Sequence, residues 1–379
     1  MYFKIIEINK KNIKMKNYIL LAALAFTSVL SAQTDTEKAA ETVSKSEIEG
    51  HIYFLADDVL KGRATGSPEL KIAASYLANT LRSYGVKPNP VSGDYYQKVE
   101  MFRFYLNEKI DLSFNGINFP EVVAFDIDAI DSEEDAVYLN YGLEADYKGK
   151  DVKGKIIIVK AGTPDALELR PALGSRAPKR ELAIKNGAKG LIEIGSFDQA
   201  IWPRFKHAFE ERVSLSEGEK EPLPLYVWVQ TSQEELDKLG AETLKIKIKS
   251  NGIQKAILQS QNVVGVLEGT DAKLKNEYVI YSAHYDHIGI GKPDAKGDSI
   301  YNGARDNAIG TTAVLTMAEN LAKYPTKRSA LFILFTGEEM GLLGSQYYVQ
   351  NPILPLEQMI YCFNTDGGGY NNTTLATIA

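Results

Sequence analysis

"RSALFILFTGEEMGLLGS" spans Arg328 to Ser345 and decides the fold. Its run "ALFILFT" is short, apolar and closed by a glycine, the pattern of a strand buried on both faces of a parallel sheet. The "MGLLGSQYYVQ" that follows reads as a helix. Working outward, "EYVIYSA" predicts a second buried strand, "NAIGTTAVLTMAENLAKY" a helix, and "MIYCFN" a third strand. Strands alternating with helices from about Ile257 onward place the segment in the α/β class, as a mixed, largely parallel sheet flanked by helices.

The same stretch sets a puzzle. Glu338 and Glu339 stand side by side at the end of a buried strand, where desolvation and mutual repulsion both act against them. Each of the other two strands also runs into potential metal ligands: "EYVIYSA" into His284, Asp286 and His287, and "MIYCFN" into Asp366. In open α/β sheets, ligands gather at the carboxyl ends of the strands. Asp306, in the glycine-flanked turn "NGARDNAIG", adds a fourth contribution after a loop of a length that is usually functional in an α/β core. Each piece has a plain reading of its own, a solvated turn for the glutamates or an Asx cap for Asp306. Their joint placement on one sheet edge is what those readings leave unexplained. Imidazole with carboxylates is a zinc ligand set, and a carboxylate can bridge two ions about 3.5–4 Å apart. One of the two glutamates can then hold metal while its neighbour takes a proton from water.

The 379 residues, 44% hydrophobic and 24% charged, fit a globular protein with a sizeable core. Lys14 and Lys16 precede "YILLAALAFTSVL", and Ser31 and Ala32 follow it, so residues 1–32 read as a secretory signal. No other stretch is apolar enough to span a membrane after its removal. The signal carries five lysines and one glutamate, so the net charge of −6 becomes −10 without it. A body that acidic argues against nucleic acid as a partner. The single cysteine, Cys362, lies in an apolar run and is expected to pack in the core.

Upstream, "GSPELKIAASYLANTLRSYGVKPNP" predicts one helix capped by Ser67 and stopped at Gly85. From Leu112 the pattern turns β-rich, with "KGKIIIVKAG", "PLYVWV" and "LKIKIKS" as strands, one helix in "RELAIKNGAKGLIEI", and a mobile loop expected between Phe205 and Pro224.

Taken in order and spacing, "SAHYDHIGIG", "NGARDNAIG", "FTGEEMGLLGS" and "NTDGGG" resemble the zinc-binding motifs of the co-catalytic di-zinc aminopeptidases, peptidase family M28. The leader "HIYFLADDVLKGRATGSPELKIAASYLANTLRSYGVKP" is similar to that family's N-terminal segment, and the β-rich part is similar to a protease-associated domain. The resemblance implies a signal at 1–32, peptidase segments at 33–111 and 257–379, and an inserted protease-associated domain at 112–256. It implies two zinc ions per complete catalytic domain. His284 and Asp366 would bind the first, Glu339 the second, and Asp306 both. Glu338 would be the general base, and Asp286 would orient His284. The expected activity is removal of N-terminal residues from peptides with a free N-terminus, by an exported periplasmic or secreted enzyme. A one-zinc cyclase acting on N-terminal glutamine and a non-catalytic binding homologue are the alternatives. The family's fifth ligand is a histidine well downstream of Asp366, whereas His51, His207, His284 and His287 all precede it. On that ground the sequence reads as C-terminally truncated, its second site keeping only Asp306 and Glu339 and the truncated form itself inactive. His287 is given no role.

Overall fold

The computed structural model describes residues 34–218, 222–238 and 244–368, so the signal read at 1–32 lies outside it. Two sheets organise the described residues. The first contains β1 (Tyr96–Tyr105), β8 (Glu211–Ser214), β11 (Gln254–Leu267), β12 (Tyr278–His284), β13 (Ser329–Phe335) and β14 (Met359–Asn364). The second contains β2 (Asp111–Phe114), β3 (Ile117–Asn118), β4 (Val122–Ile127), β5 (Ile130–Tyr138), β6 (Ile156–Lys160), β7 (Gly190–Gly195), β9 (Leu225–Gln230) and β10 (Leu244–Ser250).

The first sheet runs β14-β12-β13-β11-β1-β8. β12 pairs in parallel with both β13 and β14, and the remaining pairs on this path are antiparallel, giving a mixed sheet. Alternation sends the side chains of β13 to opposite faces. Phe332 and Leu334 meet the helices Pro68–Ser83 and Ile309–Lys323, while Leu331 and Ile333 pack with Tyr348 and Ile353. All four are fully buried, each contributing about 1.5–3 kcal/mol of apolar transfer free energy. Tyr281 stacks between Phe332 and Phe363, tying the three parallel strands together. The helix Pro68–Ser83 is capped by the Ser67 hydroxyl, which accepts from the Leu70 amide at 3.0 Å.

β14 departs from the expectation of burial. It is the outermost strand among the described residues, and from Ile360 to Asn364 it is exposed. Cys362 is exposed with it among the described residues. The stretch read as a mobile loop after Phe205 is also ordered otherwise. It completes a helix, Trp202–Glu210, and then forms β8, whose Glu211 pairs with Arg103 of β1 at 2.5 Å. Its Glu211 and Arg212 belong to an edge strand, where charge discourages further pairing, and residues 219–221 lie outside the described residues.

The second sheet runs β3-β2-β10-β5-β6-β7-β9-β4. In β10, Leu244, Ile246 and Ile248 are buried while Lys245, Lys247 and Lys249 are exposed, the period-two signature of a strand with one wet face. β6 is covered on both faces: Ile157 and Val159 join Trp202 and Trp228, and Ile156 and Ile158 join Ile192 and Val227.

His51 lies in the helix Lys45–Leu55, its Nδ1 2.7 Å from the Tyr76 hydroxyl and its Nε2 3.2 Å from that of Tyr84. Tyr84 donates its own proton to Glu47 at 2.6 Å, so Nε2 of His51 donates and Nδ1 accepts from Tyr76. Burial lowers the His51 pKa, opposed by the charge of Glu47. The unfolded state therefore binds more protons as pH falls below about 6.5, and the stability that the neutral ring supplies is present above that value and lost below it. Between pH 7 and pH 5 the protein is expected to lose more unfolding free energy in urea than His51→Asn does. Parallel losses would contradict this.

Candidate metal centre

Strand register brings the site together. His284, the last residue of β12, pairs with Phe335, three residues before Glu338, and Ser282 pairs with Asn364, two residues before Asp366. Three parallel strands thus end at one level, and the turns that follow carry the ionisable groups. His284 Nε2 lies 3.1 Å from Asp306 Oδ1, 3.1 Å from Asp366 Oδ1 and 3.9 Å from Glu338 Oε2.

The ring of His284 is buried and held in one tautomer. Its Nδ1 faces the main-chain oxygen of Asp286 at 3.1 Å, and since that oxygen can only accept, Nδ1 carries the proton. The other ring nitrogen, Nε2, is left facing the carboxylates, the side from which a metal would be held. The orienting group is the Asp286 backbone, because its carboxylate oxygen is 3.8 Å away. The fully buried carboxylate instead accepts from Thr65 Oγ1 at 2.7 Å and from the Glu338 amide at 3.2 Å. Burial raises the Asp286 pKa, and those bonds with His284 work against the rise. Burial also pulls on His284, but the charges of Asp286, Glu338 and Asp366 outweigh it and leave its pKa raised.

Asp306 is presented by a tight turn. Gly303 adopts φ +62°, and a Cβ there would sit 2.5 Å from the Asp306 carbonyl oxygen and 2.7 Å from His287 Cγ, so the turn needs glycine. The buried Asn307 donates to Thr365 O at 2.8 Å and accepts from the Gly310 and Gly367 amides, which locks the Asp306 turn to the Asp366 turn. Beneath both lies Arg63, 1% exposed, donating to the main-chain oxygens of Tyr285, Asn302, Gly303 and Leu55. Burial brings its pKa down to about 10, against the pull of Asp286, Asp306 and Glu339. Arg63 itself holds φ +50°, a conformation costing on the order of 1–3 kcal/mol that its buried hydrogen bonds enforce.

The adjacent glutamates diverge. Burial raises the Glu338 pKa, opposed by His284 and reinforced by Asp366 and Glu339. The Glu339 pKa is lowered, first by a hydrogen bond with His287 and further by the charges of His287, His284 and Arg63, against burial. His287 Nδ1 stands 2.5 Å from Glu339 Oε1. Three groups of side chains therefore offer ligand atoms within 4.8 Å of one another: His284, Asp306 and Asp366; His284, Glu338 and Glu339; and His287, Asp306 and Glu339.

This donor set fits zinc. It supplies imidazole and carboxylates in threes, with His284 held by a main-chain partner. All six residues singled out from the sequence, His284, Asp286, Asp306, Glu338, Glu339 and Asp366, lie within this cluster. His287, Arg63, Thr65 and Asn307 are part of it and were assigned nothing. Beside His284, Glu338 and Asp366 opens a cavity of about 340 Å³, with Ile333, Phe335 and Met359 in its apolar wall.

The profile of peptidase family M28 matches residues 262–378, the segment holding all six of those residues. Aminopeptidase YwaD of Bacillus subtilis is 26% identical over 354 residues, covering 89% of this chain and 67% of that protein. Carboxypeptidase Q of Xenopus laevis is 25% identical over 301 residues, covering 77% of this chain and 59% of that protein. Probable leucine aminopeptidase 2 of Aspergillus oryzae is 26% identical over 217 residues, and the chain spans only 38% of its length. Among solved structures, the aminopeptidase from Aneurinibacillus sp. strain AM-1 superposes with a TM-score of 0.58 at 24% identity, over 88% of this chain and 73% of that one, a likeness of fold. The ligand-bearing turns thus all lie inside the segment that matches peptidase family M28, and the fold is like that of a solved aminopeptidase.

Proposed function

We propose that the protein is a zinc-dependent exopeptidase that removes N-terminal residues from peptides, using two zinc ions per catalytic domain. One observation carries this reading. Asp306 belongs both to the group with His284 and Asp366 and to the group with His287 and Glu339, the position of a bridging carboxylate. The names of the relatives, two of them aminopeptidases, support the choice of reaction.

Bound zinc would supply an acidified water and polarise the scissile carbonyl. Glu338 accepts the water proton and returns it to the leaving amine; its carboxylate faces the Nε2 side of His284 and is held there by the Glu338 amide bonded to Asp286. Asp286 and Thr65 fix that amide, so the base stays in place through the cycle. We also read residues 1–32 as an export signal, which places the mature protein in the periplasm or outside the cell, and the second sheet as a protease-associated insert.

Aminoacyl p-nitroanilides with a free amine test the reaction. They are expected to be hydrolysed, N-acetylated versions to be refused, and a chelator to abolish the activity until zinc is restored. Equal cleavage of the acetylated substrates, or release of C-terminal residues only, would contradict it.

A further inference from the structure

A second cavity shares no residue with the metal centre and lies where the two sheets meet. Its volume of about 440 Å³ is within the roughly 300–1,000 Å³ of small-molecule sites. Phe104 and Arg212 come to it from β1 and β8 of the first sheet, Phe125 from β4 of the second, and Arg176 and Arg180 from the helix Arg176–Lys185. Guanidinium groups lie against aromatic faces there. The central carbon of Arg176 sits 3.4 Å over the centroid of the Phe125 ring, and that of Arg212 4.9 Å over Phe104. Stacking on a ring leaves the N–H edges of a guanidinium for other acceptors. Arg176 Nε is buried with no hydrogen-bond partner among the described residues. A buried donor left unpaired is costly, and an acceptor bound in the cavity removes that cost.

The charge balance points the same way. Three arginines face two acids among the described lining residues, Asp126 and Glu210, on a chain whose formal charge is −6. Glu210 is exposed and lies 3.2 Å from His207 Nδ1, and Asp126 lies 3.9 Å from Arg212. A small inorganic anion would answer the arginines and leave the aromatic walls without a partner, whereas an organic anion with an apolar body answers both.

We propose that this cavity is a binding site for a small organic carboxylate with an apolar or aromatic body, its carboxylate received by Arg176 and its body by the aromatic walls. A planar guanidinium matches a carboxylate with two parallel hydrogen bonds, which fixes the ligand's orientation. Free amino-acid derivatives and the C-terminal residue of a peptide both carry this chemistry. The site goes beyond the proposed reaction and does not depend on it.

Calorimetric titration of the full chain with N-acetylphenylalanine, zinc-loaded and metal-stripped, tests the proposal. One equivalent is expected to bind with the same affinity in both forms. The uncharged N-acetylphenylalanine amide is expected to bind at least ~10-fold more weakly, as is Arg176→Gln to the acid, for loss of a charge-assisted hydrogen bond. Inorganic phosphate is expected to compete at least ~10-fold more weakly than the acid, since it gains nothing from the apolar walls. Circular dichroism and a thermal melt establish that the variant is folded. N-acetyl-dialanyl-phenylalanine separates the sources: affinity equal to that of N-acetylphenylalanine assigns a peptide C-terminus, and refusal assigns free carboxylates. Binding lost with the metal would place the ligand at the zinc cluster and overturn the proposal. Equal affinity for the amide, equal competition by phosphate, or unchanged affinity in folded Arg176→Gln would overturn it too. Should that variant unfold, N-acetylphenylalanine soaked into wild-type crystals decides. Its carboxylate is expected on Arg176, and an empty cavity would overturn the proposal.

Discussion

Glu338→Gln is expected to lower turnover on aminoacyl substrates by about 10²–10⁴-fold, the usual worth of a general base, while zinc content stays at the wild-type level. Glutamine matches the shape of glutamate but cannot take a proton. The backbone amide that anchors this residue to Asp286 is untouched, so the turn should keep its conformation. KM should move little, since the lost interaction belongs to the chemical step. Steady-state kinetics with metal analysis on the same sample checks the result. Activity within tenfold of wild type would remove Glu338 from its role, and loss of zinc would recast it as a ligand in the group it forms with His284 and Glu339.

The second large effect lies far from the metal centre. Lys179 and Glu193, 1% and 0% exposed, form an ion pair inside the second sheet's core. Lys179 also donates to Lys160 O at 2.7 Å and Gly162 O at 3.2 Å, and Tyr226 donates to Glu193 at 2.6 Å. Burial lowers the Lys179 pKa while Glu193 opposes the fall. Lys179→Met strands a buried carboxylate and should destabilise the protein by about 3–5 kcal/mol. Lys179→Met with Glu193→Leu removes both charges and should recover a large part of that loss. Urea unfolding followed by the fluorescence of Trp202 and Trp228, which lie in the same cluster, reads this sheet directly. A cost under about 1 kcal/mol for the single variant would mean that water or another cation reaches Glu193.

Much of the candidate cluster was legible because it sits where short apolar runs stop. The end of a buried strand is marked in sequence by an abrupt change from apolar to ionisable residues, and parallel register then brings separate ends to one level. That logic reaches His284, Asp306, Glu338, Glu339 and Asp366. It does not reach Arg63 or Thr65, which contact the site across more than 200 residues and carry no periodic signal. His287 was visible in "HYDH", but the aim of its ring depends on pairing with Arg63 and Ala64. Asp286 meets His284 through its backbone oxygen, which spacing does not distinguish from its carboxylate. Tyr361 and Phe363 of β14 are 59% and 52% exposed among the described residues. Charge misled in the opposite direction at β8, where it marks a sheet edge.

Anomalous X-ray scattering at the zinc edge, from crystals of the full chain grown with zinc, tests the bridging carboxylate most directly. Two peaks about 3.5–4 Å apart, with an Asp306 oxygen on each, are the predicted result. A single peak, or two peaks that do not share Asp306, would contradict it.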